Sequence, residues 1–187
     1  MDKRDGATTM SKVDRQKLEV EMRQLYGVYL YLRDNDMSEE SNTSRLLQER
    51  IPGYLVARLA DELQQLADVK SGEQMHTSSR EEETTLEASQ VGYWLLLLAS
   101  TAKLRYDDFV PHVSILRGYY EQYSEGKAME QQQDCLNLLS AHQPSTLVQG
   151  LHLGFAVIGR ACAQAKISPL APAEFDLEQM RRKGLVS

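Results

Sequence analysis

Apolar residues recur at helical spacing in every long segment of this chain, and no run alternates at the period of two that a strand requires. From Val13 to about Asp34 they fall at positions 18, 22, 25, 26, 29, 30 and 32, which predicts a long first helix with Tyr26, Tyr29 and Tyr31 in its middle. Residues 35–42 read as a loop. Thr43 or Ser44 is then expected to cap a short helix running through Glu49. Pro52 suits the first turn of the next helix, whose apolar positions 55, 56, 59, 60, 63 and 66 form one stripe. Residues 70–79 are polar, contain Gly72 and His76, and read as a connection.

The stretch Thr85–Ala99 is apolar nearly all round at helical period, the mark of a buried helix. Glu81, Glu82 and Glu83 fall in its first turn, where carboxylates favour the helix dipole. At about 15 residues it falls short of the roughly 20 a membrane span needs. Tyr106 opens a further helix, with Pro111 in its first turn, running to about Ser124 and broken by Gly126. Residues 127–141 form a polar helix around Leu136, Leu138 and Leu139. Pro144 opens an apolar helix, Leu147 to Lys166, in which Gly150, Gly154 and Gly159 allow close packing. Residues 168–172 read as an extended linker, and a last helix, Glu174 to Lys183, ends at Gly184. The pattern predicts an all-α bundle with a core of four to five helices and additional C-terminal helices. Residues 1–12 are polar and expected to be disordered, residues 13–124 to form the helical core, and residues 125–187 to pack on it.

Composition narrows the class. The chain has 187 residues, 42% hydrophobic and 26% charged, as in an ordinary soluble domain. A net charge of −6 argues against a nucleic-acid binder, which usually carries a basic stripe. No secretory pattern opens the sequence, so cytoplasmic residence is the default expectation. Cys135 and Cys162 lie in separate apolar surroundings and read as two buried, reduced thiols. There is no Gly-rich phosphate loop, no Cys-x-x-Cys, no His-Glu-x-x-His and no Gly-x-Ser-x-Gly.

The candidate chemistry is acidic. Glu87 and Gln90 stand three residues apart on the buried helix, near one face. A buried charge needs a partner, either a cation of the chain or a metal ion. Upstream, Asp61, Glu62 and Gln65 sit on or beside one stripe of the preceding helix. Hard divalent cations take oxygen ligands, and facing helices of a bundle can present them inward.

Here the chain resembles the all-α nucleotide pyrophosphohydrolases, the MazG-like and phosphoribosyl-ATP pyrophosphohydrolase group. Their Glu-Glu-x-x-Glu motif is matched by Asp61-Glu62-Leu63-Gln64-Gln65, and their Glu-x-x-Asp by Glu87-Ala88-Ser89-Gln90. The apolar continuation Val91-Gly92-Tyr93-Trp94 is also similar, and the resemblance spans roughly residues 15–115. It implies a MazG-like bundle that assembles as a homodimer or homotetramer. It also implies Mg2+-dependent hydrolysis of a nucleotide to monophosphate and pyrophosphate. Asp61, Glu62 and Glu87 would hold the metal, with Glu62 and Glu87 catalytic. Gln65 and Gln90 depart from the pattern: an amide carbonyl ligates a hard cation but brings no charge. The amides point to the alternative, a catalytically degenerate relative acting as a ligand-binding or protein-interaction module.

Each residue also has a plainer reading. Asp61 and Glu62 suit a solvated acidic face, with Arg58 pairing with Glu62 at i,i+4. Glu87 suits an exposed carboxylate near a helix start. Arg58 and Arg80 are of a type that meets phosphates, and His76 could contact one; each is equally a surface residue. Tyr93 and Trp94 suit stacking on a base, or simply the core.

Overall fold

The computed structural model describes residues 12–71, 77–121 and 124–186. They form α1 (Lys12–Asp34), α2 (Asn42–Glu49), α3 (Pro52–Ser71), α4 (Arg80–Thr101) and α5 (Tyr106–Phe109). There follow α6 (Pro111–Tyr120), α7 (Glu125–Ser140), α8 (Pro144–Ala165) and α9 (Ala171–Arg182). No strand occurs among the described residues, so the fold is all-α. Gly72 and His76 lie outside the described residues, as do residues 1–11 of the segment expected to be disordered; Lys12 already belongs to α1.

α4 and α8 are the two helices around which the others gather. α4 packs on α1, α2, α3, α8 and α9, which is why its sequence is apolar nearly all round. Ala88, Val91, Leu95, Leu96, Leu97 and Ala99 are all fully buried. α8 packs on α4, α5, α6 and α7. It is long and apolar enough to cross a membrane by length and composition, and it is mostly buried within the bundle. Residues from α1–α6 and from α7–α9 belong to one continuous hydrophobic cluster, which includes Leu18, Leu59 and Leu95 as well as Cys135, Phe155 and Leu177.

The α6–α8 contact is backbone against backbone. A methyl group built on Gly159 would stand 1.8 Å from the Ile115 carbonyl oxygen, and one on Gly118 would stand 1.9 Å from that of Ala156. Gly154 meets Leu95, and Gly150 meets Leu139, at 2.6 and 2.7 Å on the same construction. The spacing of Gly150, Gly154 and Gly159 signals this closeness; Gly118, on the opposing helix, is the partner that the sequence reading did not single out.

Several boundaries differ from the expected ones. α2 is capped by Ser41, whose hydroxyl accepts the Ser44 N–H at 3.2 Å, rather than by Thr43 or Ser44. The Ser44 hydroxyl instead donates to the Leu32 carbonyl at 2.9 Å and pins α2 to α1. The helix expected from Tyr106 to Ser124 is two helices. Val110 adopts φ +31° between them, and Pro111 restarts the helix because it has no N–H to continue the earlier one. α6 ends at Tyr120, before Gly126, which lies in the first turn of α7 rather than at the break between helices. Residues 168–170 turn tightly and α9 begins at Ala171, so the extended linker is shorter than expected. Gly184 ends the chain's last helix with φ +71°.

Candidate functional site

α3 and α4 lie side by side and carry every candidate residue but His76, which lies outside the described residues. α3 starts at Pro52 and buries Leu55, Leu59, Leu63 and Leu66, the stripe its sequence marks. Glu62 is adjacent to that stripe and goes in with it, 6% exposed, whereas Asp61 is turned about 100° away and is exposed. Gln65 is half-buried. On α4, Ser79 caps the helix by accepting the Glu82 N–H at 3.2 Å. Glu83, on the buried side of that first turn, accepts the Thr77 N–H at 2.7 Å. One turn on, Glu87 is 5% exposed. Gln90, about 60° round the helix from Glu87, is exposed, so the edge of the buried surface runs between them.

The structure gathers Arg58, Asp61, Glu62 and Trp94 into one cluster. Arg58 Nη1 donates to Asp61 Oδ2 at 2.9 Å, and Nη2 donates to Glu62 Oε1 at 3.0 Å. The guanidinium lies 5.5 Å from the centroid of the Trp94 ring, within cation–π range. Trp94 is 7% exposed and meets Tyr93 and Tyr54 edge-on at 5.0 and 6.2 Å. Glu87 stands seven residues before Trp94, about 10 Å down the same helix. Among the described residues, no group of three or more His, Cys, Asp or Glu side chains is placed to hold a metal ion.

This donor set does not fit a magnesium centre as it stands. The fork of one guanidinium engages both α3 carboxylates, which is the i,i+4 pairing that the spacing of Arg58 and Glu62 allows. Gln90 is exposed to solvent and brings no charge. Gln65 brings no charge. Arg80 is exposed at the start of α4.

Two larger grooves lie on other faces. One, of about 470 Å3 between α3, α7 and α8, is lined by Leu63, Gln64, Met129, Leu136 and Arg160. Arg160 is 8% exposed and donates to the Gln131 side chain at 2.8 Å. The other, of about 650 Å3 between α6, α7 and α8, contains Ser114 and His152, whose hydroxyl and Nδ1 lie 2.8 Å apart. Burial depresses the His152 pKa, and the nearby Arg117 adds to that. Both thiols are free and buried, and burial pushes each up to about 12.

Sequence reading missed Asp176. It sits in the stripe 173, 176, 177 and 180 that α9 turns toward α1 and α4, so periodicity signals its position but not what faces it. Together the fold and the α3–α4 cluster define the class: an all-α bundle with an acidic pair held by one arginine. No family model, no curated protein and no solved structure matches the chain.

Proposed function

We propose that this chain is a catalytically degenerate helical protein of MazG-like type that acts through protein interaction rather than hydrolysis. One observation carries the reading: Arg58 engages both Asp61 and Glu62, the carboxylates that the resemblance assigns to metal. With one cation of its own chain set against two carboxylates, the acidic pair keeps a net charge of about −1 rather than −2, less than a site for a divalent ion concentrates. The cluster instead has an apolar rim. Ile51 and Tyr54, 53% and 47% exposed, stand at the N-terminal end of α3, with Tyr54 against Trp94. The partner in this reading is a second copy of the chain, in keeping with the homo-oligomer the resemblance implies.

Two measurements test it. Incubation of the whole chain with a panel of nucleoside triphosphates and magnesium should release no pyrophosphate above buffer. Light scattering should give a dimer or tetramer that Ile51→Ser with Tyr54→Ser dissociates. Pyrophosphate release that disappears in Glu87→Gln would overturn the proposal.

A second reading, magnesium-dependent nucleotide pyrophosphohydrolase, is favoured by the burial of both Glu62 and Glu87 on two helices that pack together. It requires Arg58 to leave its carboxylates when metal and nucleotide bind. The same nucleotide panel decides between the two.

A further inference from the structure

The Asp176 carboxyl enters the seam between α9, α1 and α4. It lines a cavity of about 20 Å3, room for about one water, whose other walls include Met22, Leu25, Ser89, Gly92 and Ile158. From α1 the Tyr29 hydroxyl faces it, on a side chain with no solvent exposure. From α4 comes Tyr93, whose ring lies 5.8 Å from that of Tyr29 and whose hydroxyl is 3.1 Å from Thr43 Oγ1 of α2. The positive charge that acts on Asp176 is Lys183, beyond the end of α9. Further along the seam, Lys17 pairs with Glu174 and lies 3.5 Å from Glu21, and Arg181 acts on Glu21. The α8 and α6 walls of the cavity, Phe155, Ile158 and Ile115, bring no charge.

We propose that α9 is a proton-gated latch: neutral Asp176 seats it against Tyr29 and Tyr93, and ionised Asp176 loosens it. Asp176 is half-buried, and an ionised carboxylate here loses much of its water and gains only the Tyr29 hydroxyl and a cation at the helix end, so its neutral form is the one the seam favours. Burial accordingly pushes the Asp176 carboxyl up to about 7 from its ordinary 3.8. Glu21 moves the same way, first because it is buried and next because Glu174 is near. The sign follows from linkage. Docked α9 holds a proton that the undocked helix releases, so docking is strongest below the ordinary carboxylate pKa. It weakens as pH rises toward about 7 and is level above that. Release of α9 uncovers Met22, Leu25 and Leu96, an apolar strip that the closed form hides. This device is independent of the Arg58 cluster on α3.

Hydrogen exchange of the whole chain, corrected for the intrinsic pH dependence of amide exchange, reads the opening of residues 171–182 directly. Between pH 5 and pH 8 the opening constant of α9 should rise by roughly 10- to 100-fold, while amides in the centre of α8 hold their protection. Asp176→Asn should remove this pH dependence and keep α9 docked at both values. Tyr29→Phe, which keeps the acid, should retain it. In the unaltered chain, the Asp176 carboxyl carbon should titrate near neutrality by NMR. A carboxyl that titrates near pH 4 would overturn the proposal. So would α9 protection that is the same at both pH values, or an Asp176→Asn chain that keeps the wild-type pH response.

Discussion

Arg58 reaches forward one turn along α3 to bond Glu62 at 3.0 Å, joining a half-exposed guanidinium to a carboxylate whose side chain is only 8% exposed. The same fork holds Asp61 and lies against the Trp94 ring, so three partners on two helices depend on one side chain. Replacing Arg58 by alanine leaves Glu62 charged and buried beside the core. The expected cost is about 1–2 kcal/mol, below the range for fully buried pairs because Arg58 itself is 38% exposed and screened. Urea denaturation reads this, and Glu62→Gln in the Arg58→Ala background should recover much of the loss by removing the stranded charge.

The metal reading gives a second expectation. Gln65→Glu with Gln90→Asp would raise the formal charge of the matched positions from about −3 to about −5, and hard-cation affinity follows ligand charge. Gln90, however, is exposed while Glu87 is buried, so a carboxylate placed at position 90 is screened by solvent and adds little to a site at Glu87. The double variant should therefore melt at the same temperature with and without magnesium. A melting temperature that climbs with magnesium would show that these positions share a site and would restore the hydrolase reading.

The α6–α8 seam predicts strong and selective sensitivity to a single methyl group. Gly159→Ala and Gly118→Ala each place a carbon within 1.9 Å of a backbone oxygen, which no rotamer change relieves. Each should cost about 3 kcal/mol or more, the upper part of the overpacking range. Gly27→Ala, in exposed helix with nothing within 4 Å, should instead stabilise the protein by about 0.5–1 kcal/mol through helix propensity. Thermal melts of the three variants check both directions; equal effects would contradict the close backbone approach.

Both thiols should be inert in the folded chain. Cys135 and Cys162 have no solvent exposure, and Cys135 Sγ donates to the Gly150 carbonyl at 3.2 Å. With both pushed up to about 12, thiolate is scarce at pH 8. A disulfide reagent should label neither cysteine until denaturant is added, and should then label both. Rapid labelling of the folded chain would mean that α7 or α8 opens readily.

What the sequence determined by itself was the helical class and most of the buried stripes. Positions 18, 22, 25, 26, 29 and 32 of α1, and 55, 59, 63 and 66 of α3, are buried as their spacing requires, because periodicity is a local property of the chain. The all-round apolarity of α4 likewise announced burial, since helices pack around it on several sides. Tertiary structure decided everything that depended on a neighbour. Spacing placed Glu87 and Gln90 about 60° apart, but only the packing of α4 drew the boundary of the core between them. Pro111 was visible as punctuation, yet whether it began a helix or sat inside one was set by the turn at Val110. Arg58 had two partners within reach and a third on α4, and only the docking of α4 brought Trp94 beneath it. Asp176 was one more carboxylate on an amphipathic helix until α9 met Tyr29 and Tyr93 across 147 and 83 residues of chain. Local pattern fixes which face turns inward, and long-range contact fixes what that face meets.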